Sequence, residues 1–384
     1  MVRIAVASLL MLAAAESHGQ VVIEELYRNG TVLAGDRTVT FDPIAGLSPG
    51  VDGGKPVDYV FAVDLATGTE YTSLIEWGDD GGSSVVEETD ITAPFAFAGY
   101  IPGLAEEGVQ AFSLVVGELP SLMIAGVGLR APGGPTVNLI APGDAKPDGG
   151  VFTSPQVVYL RGGRLIVQDS TMSGGPGFAR DSVHRVDVGT QQITQVLSRG
   201  DVVLGGVVDA IVTLGCGADG EVLASIEDVS DNARIVMFAE DGSQTLVVSS
   251  GDASPDGRLF DRFLSPPIRV DAGVVFSGRV AGTEDRIATY LWDGSTISTL
   301  VPGLGVLAFA VDDNDSLALF GVRDGDRVVG VIDRDGAYTE ILTSAEPFMG
   351  LDVSLLGIGN DAIDGETVTF SGLFTDPVTF DQTN

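Results

Sequence analysis

The feature that most constrains this chain is a short run of alternating polar and apolar residues, ended by a Gly or Gly-Asp corner, that recurs seven times. The copies are VVIEELYRNG (21–30), TEYTSLIEWGD (69–79), TVNLIAPGD (136–144), QQITQVLSRGD (191–201), SQTLVVSSGD (243–252), STISTLVPG (295–303) and AYTEILTSAEP (337–347). A single unit of this kind cannot bury its own apolar face, so repetition at this scale implies a stacked or radial array. The corner glycines Gly30, Gly78, Gly143, Gly200, Gly251 and Gly303 are separated by 48, 65, 57, 51 and 52 residues. Such periods fit one four-stranded sheet per repeat, as in a propeller blade.

Within a repeat, most copies follow an apolar run and a tight Asp-Gly turn, as at Asp241-Gly242, Asp293-Gly294 and Asp335-Gly336. Asp-Gly between alternating strands predicts a hairpin, because Gly reaches positive φ without a Cβ clash. These hairpins are read as the third and fourth strands of a blade. Each corner is followed by a loop and then a further turn, Val270 to Gly273 in the repeat that starts at Gly251, which leads into an apolar strand. No long amphipathic helical pattern occurs, and the expected class is all-β.

The ends suggest closure. The first copy lacks the three strands that should precede it, and 345–384 supply early strands without a final Asp-Gly hairpin. The expectation is a β-propeller of seven four-stranded blades, with units at about 28–77, 78–142, 143–199, 200–250, 251–302 and 303–344, and a last blade of 345–384 completed by 20–27. Such closure removes open strand edges. The degenerate unit at 28–77 keeps six and eight blades compatible with the pattern.

The N-terminus reads as an export signal over residues 1–19, leaving a single domain over 20–384. Arg3 supplies a positive charge, Ile4 to Ala15 an apolar core, and Ala13-Ala14-Ala15 or Ser17-His18-Gly19 a small-residue cleavage site. That core is too short to span a bilayer, and no second apolar run reaches spanning length. The predicted location is periplasmic, cell-surface or extracellular.

These features resemble the bacterial secreted proteins with tandem NxxGxxAF-type repeats. The resemblance rests on the Gly-Asp corners (Gly143-Asp144, Gly200-Asp201, Gly251-Asp252), the Pro-Asp-Gly that follows (Pro147 to Gly149, Pro255 to Gly257), and the turn-strand motif. Its best copy is Ala105 to Phe112, with Ala where the family has Asn. It implies an exported β-propeller-like array, often anchored to the cell surface at its C-terminus, with no established activity or catalytic residues. The tail SGLFTDPVTFDQTN departs from this, since it carries no apolar anchor segment.

Charge bounds the partners. Against 54 acidic residues stand 20 basic ones, a net charge of -34, and the only lysines are Lys55 and Lys146. Nucleic acid and anionic membranes would be repelled. The charge is spread through the repeats, and 44% apolar residues argue against disorder.

Few residues offer chemistry. Cys216 is the single cysteine and is expected to be buried as a small hydrophobe. His184, in DSVHRVDV, is the one histidine outside the leader, so any Ser-His-Asp triad would need it, and a structural role is the expectation. Asp312, Asp313, Asn314 and Asp315, and separately Asp333 with Asp335, offer hard oxygens suited to calcium, yet neither stretch completes a calcium-loop motif. No catalytic, cofactor or metal residues are assigned. Two repeats carry added segments, 83–103 and 169–182, and the first holds Phe95, Phe97 and Tyr100 as an aromatic contact surface or rim packing.

The functional expectation is a monomeric, secreted or surface-associated scaffold that binds an extracellular protein or polysaccharide without catalysis. The alternatives are a carbohydrate- or lactone-acting hydrolase or lyase using central-channel carboxylates with or without calcium, and a passive envelope component.

Overall fold

The computed structural model describes residues 7–15, 21–28, 32–33, 37–39, 50–52, 55–77, 83–90, 98–106, 109–116, 123–131, 134, 136–170, 180–217, 220–282, 287–312, 315–333, 336–347, 352–358, 363–364 and 367–375. All of their regular structure is β, as expected. The chain divides into two compact units, one of 1–102, 117–119 and 308–384, the other of 103–116 and 120–307. Among the described residues, no helix is long and apolar enough to cross a membrane.

The strands form antiparallel meanders that follow chain order. Sheet I holds Lys55–Asp64, Thr69–Trp77 and Ser83–Asp90, with short strands at Val32–Leu33, Arg37–Val39 and Gly50–Asp52. Sheet II holds Ala98–Glu106, Val109–Val116, Met123–Arg130 and Thr136–Ile140. Next comes one nine-stranded sheet made of two meanders. Sheet III holds Pro155–Arg161, Arg164–Ser170, Arg180–Asp187 and Ile193–Ser198. Sheet IV holds Gly206–Cys216, Val222–Asp228, Ala233–Phe238 and Gln244–Ser249, with Val202–Val203 beside its first strand. The pair Arg180 and Ile211 bridges the two. Sheet V is built on Gly273–Val280, Ile287–Trp292 and Ile297–Val301, its first strand divided into Phe260–Phe263 and Ile268–Val270. Sheet VI holds Gly305–Val311, Leu317–Arg323, Asp326–Ile332 and Tyr338–Thr343.

A terminal sheet joins the chain ends in the order Val21–Arg28, Ala7–Ala15, Thr367–Thr375, Asp352–Gly357. Ala7 pairs with Phe374 and Ala14 with Thr367, and on the other side Ala15 pairs with Val21. The apolar run read as an export signal therefore occupies an inner strand, between Val21–Arg28 and Thr367–Thr375, and the strand expected from 20–27 to complete the last blade lies outside it.

The predicted hairpins are present. Ala233–Phe238 pairs with Gln244–Ser249 across Asp241-Gly242, and Ile287–Trp292 pairs with Ile297–Val301 across Asp293-Gly294. Asp326–Ile332 pairs with Tyr338–Thr343. Six of the seven repeated runs lie outermost in their sheets. The second, Thr69–Trp77, is an inner strand between Lys55–Asp64 and Ser83–Asp90. A tight turn, in which the Gly68 amide donates to the Asp64 carbonyl (2.7 Å), draws it in after Lys55–Asp64. The boundary expected at 77/78 thus falls inside sheet I.

The Gly-Asp corners repeat atom for atom. The amides of Gly143, Gly200 and Gly251 donate to the carbonyls of Phe152, Val208 and Phe260, each at 2.8 Å. Asp144, Asp201 and Asp252 each take the amide three residues upstream on Oδ2, from Ala141, Ser198 and Ser249, at 2.7 Å. The glycines have φ of +95°, +88° and +90°, which a side chain would strain. The motif is therefore an architectural joint, with its carboxylate committed to backbone.

Each joint hands an apolar residue to the core. Phe260 meets Tyr290 edge-on at 5.0 Å and Phe276 at 5.9 Å, within a cluster that includes Ile235, Val248 and Val274. Burying such a ring stabilises the fold by about 1.5–3 kcal/mol. The other unit has its own cluster around Phe370, Val329, Ala318 and Ile363.

Candidate functional site

His184 is buried in sheet III, where its backbone pairs with Val167 and Gln195. Its Nε2 lies 2.9 Å from Ser182 Oγ. Lys146, from the corner loop, donates to that same Oγ (3.2 Å) and forms an ion pair with the buried Asp169 at 2.7 Å. Asp169 Oδ1 also accepts the amides of Thr153 (2.9 Å) and Ser154 (2.7 Å). Phe152 packs its ring edge-on against His184 at 4.8 Å. Burial, helped by the Lys146 charge, pushes the His184 pKa down to about 4.

Serine, histidine, lysine and aspartate thus meet, but not as a hydrolytic triad. In a triad the base's second ring nitrogen donates to a carboxylate that orients it. Here His184 Nδ1 is buried without a hydrogen-bond partner among the described residues. Lys146 Nζ is engaged with Asp169 and donates to Ser182 Oγ. The cluster braces the corner loop against sheet III.

The other sequence candidates fall in separate places. Cys216 is buried at the end of Gly206–Cys216. Asp312 Oδ1 accepts the Ser316 amide and Asp333 Oδ1 the Ala337 amide, both at 2.8 Å, so each carboxylate closes its own turn. Asp315 sits in the same turn as Asp312 with φ of 63°. Asp313, Asn314 and Asp335 lie outside the described residues, as do Phe95, Phe97, the side chain of Tyr100 and most of the 169–182 segment. Among the described residues, no group of three or more His, Cys, Asp or Glu side chains could hold a metal ion.

A second charged cluster joins three successive sheets at their turns. Arg164 of sheet III takes Asp187 on Nη1 and reaches Glu240 of sheet IV through Nε (3.1 Å) and Nη2 (2.8 Å), both on Oε1. Arg185 is buried, with Nη2 3.3 Å from the carbonyls of Phe238 and Ala239. Glu221 Oε1 pairs with Arg269 of sheet V at 3.1 Å. Arg161 Nη1 donates to the Arg269 carbonyl at 2.8 Å. Burial lowers the Arg185 pKa and the nearby Glu240 charge opposes that shift. The bonds that Arg164 donates to Glu240 raise the Arg164 pKa.

Two glycines make room for this junction. A Cβ on Gly220 would lie 2.5 Å from Arg164 Cγ, and one on Gly217 would lie 2.1 Å from Glu221 Oε2. Both approaches are closer than real Cβ contacts. These two glycines thus admit Glu221 and the neighbouring sheet's Arg164 close against the backbone.

The chain is similar to solved β-rich structures of several kinds. Prolyl oligopeptidase B from Galerina marginata, bound to a macrocyclization substrate, is 12% identical over 79% of this chain and 44% of its own, with a TM-score of 0.46. TolB from Acinetobacter baumannii is 13% identical over 75% of this chain and 63% of its own, with a TM-score of 0.35. Aleuria aurantia lectin, in complex with alpha-methyl-L-fucoside, is 12% identical over 77% of this chain and 93% of its own, with a TM-score of 0.36. No family model and no curated protein matches the chain.

Sequence reasoning singled out His184 but not Lys146 as its neighbour, and it missed the arginine junction entirely. One signal was present: Arg161, Arg164, Arg180 and Arg185 crowd into 25 residues of a chain with only 20 basic residues.

Proposed function

We propose that this chain is an exported binding scaffold without catalytic activity, related to the tandem NxxGxxAF-type repeat proteins and built as a seven-bladed β-propeller. In this reading the closing blade is built on Asp352–Gly357 and Thr367–Thr375, and the ligand is an extracellular protein or polysaccharide. The observation that carries it is a recurrent exposed apolar position. Val151, Val207 and Leu259 each precede the residue that receives the corner bond, and they are 53%, 38% and 51% exposed. The polar atoms of the joint are committed to backbone, which leaves these outward side chains to meet a ligand.

In sheet IV the position widens into a patch with Val202, Leu204 and Val229, all exposed. Leu204 has φ of 49°, in a hairpin turn where Asn or Gly is the usual choice. Holding leucine there costs about 1 kcal/mol, which is consistent with a surface role for its side chain.

The test is saturation-transfer proton NMR of a neutral oligosaccharide panel with the exported chain in calcium-containing saline, repeated with Val207→Asp and Leu259→Asp. Transfer that both substitutions abolish in folded protein supports the reading. New product signals would establish an enzyme, and transfer indifferent to both substitutions would place binding elsewhere.

A further inference from the structure

We propose that the Arg164–Arg185 seat, closed in this structure by the chain's own Glu240, receives the carboxylate of an acidic sugar; this rests on the binding reading above and deepens it. Glu240 is 58% exposed on the hairpin tip after Ala233–Phe238. Arg164 reaches only its Oε1, through both Nε and Nη2. A carboxylate presenting both oxygens would form the parallel fork that guanidinium groups favour, so the internal acid is a replaceable occupant.

Beneath it lies unmatched polarity. Arg185 is buried, yet among the described residues its Nε has no hydrogen-bond partner, and its carbonyl contacts are 3.3 Å long. Glu221 is also buried, and among the described residues its Oε2 has no hydrogen-bond partner. A buried charge left in this state is costly, and a ligand supplying one anion and one hydroxyl donor answers both atoms. Arg269, partly exposed, stands on the far side of Glu221. Gly217 and Gly220 let Glu221 and Arg164 lie close against the backbone, since a Cβ at either would strike these charged side chains.

The same atoms select the ligand. A polyacidic peptide would bring several carboxylates against Glu221 and against a chain of net charge -34. A uronic acid carries a single carboxylate with hydroxyls beside it. Its carboxylate takes the place of Glu240 on Arg164 and extends to Arg185 Nε, and a neighbouring hydroxyl donates to Glu221 Oε2 as the junction loosens to admit it.

The experiment titrates D-galacturonate, D-galactose and acetate into the exported chain and into Glu240→Gln, by calorimetry with saturation-transfer NMR. Freeing the seat from its internal competitor should tighten galacturonate by roughly tenfold, as expected when a competent state rises from a tenth to full population. Galactose should not bind, and acetate should bind more weakly than galacturonate. Arg164→Gln should abolish the signal; because Glu240 is exposed, Glu240→Gln remains informative even if that second variant does not fold. No tightening in Glu240→Gln, or acetate matching galacturonate, overturns the proposal. Binding at the corner-loop positions is scored separately by Val207→Asp with neutral sugars, so either reading can fail alone.

Discussion

Lys146 Nζ sits 2.7 Å from Asp169 Oδ2, at a corner-loop position where the equivalent joint of sheet V carries Ser254. Ser254 is satisfied locally by Asp256 and by the Arg258 carbonyl. Lys146 instead crosses from the loop to a buried carboxylate of sheet III. One repeat thus carries a tertiary ion pair where another has a local turn bond.

Removing one partner of that pair leaves the other charge buried. Lys146→Met should lower unfolding stability by about 3 kcal/mol. The double variant Lys146→Met/Asp169→Asn should recover part of this loss, because the side chain is then neutral while its amide oxygen still accepts from the amides of Thr153 and Ser154. Urea titrations of the four proteins in the cycle measure both terms.

His184 links stability to pH. Its folded pKa, about 4, lies below the ordinary histidine value of 6.5. Between these values the unfolded chain binds more protons than the folded one, so stability is full above about pH 6.5 and falls as pH drops towards 4. A gap of this size corresponds to about 3 kcal/mol. Denaturation midpoints measured across that window should slope for the native chain and flatten for His184→Gln.

The corner joints should fail in a graded way. Gly251→Ala puts a side chain at φ of +90° with no atom within 4 Å of its Cβ, so the cost is backbone strain alone, about 1–2 kcal/mol. Asp252→Ala removes the acceptor of the Ser249 amide and should cost about 1 kcal/mol. Thermal melts of the two variants and their combination test whether glycine and carboxylate act as one joint, through costs that fail to add.

Export makes a chemical prediction at the N-terminus. Intact mass of protein recovered from the cell envelope or medium should begin at Gln20, and a mass beginning at Met1 would overturn the export proposal. In the processed chain the amides of Thr367 to Phe374, whose partners are Ala7 to Ala14, should exchange faster with deuterium than in the full-length chain.

Local backbone chemistry is what the sequence made legible. The hairpins at Asp241-Gly242 and Asp293-Gly294 and the turn from Val270 to Gly273 were readable because each is decided by a few adjacent residues. Thr69–Trp77 was harder, because the same alternation of polar and apolar residues suits an inner strand and an outer one, and the choice fell to the following strand Ser83–Asp90. The sites were least legible. Lys146 and His184 are 38 residues apart in sequence, and Arg164, Glu221 and Arg269 belong to three repeats, so only folding brings them together.

The Gly-Asp joint carries a consequence for how such a chain grows. Its geometry is specified by one glycine, one aspartate and nearby amides, with no reference to the identity of the adjoining sheets. A duplicated segment bounded by two such joints would arrive with its own steering information. Gene-level copying could therefore extend or shorten the array without a matched mutation elsewhere, and individual copies could acquire private features, such as the lysine at 146, while their neighbours stay unchanged.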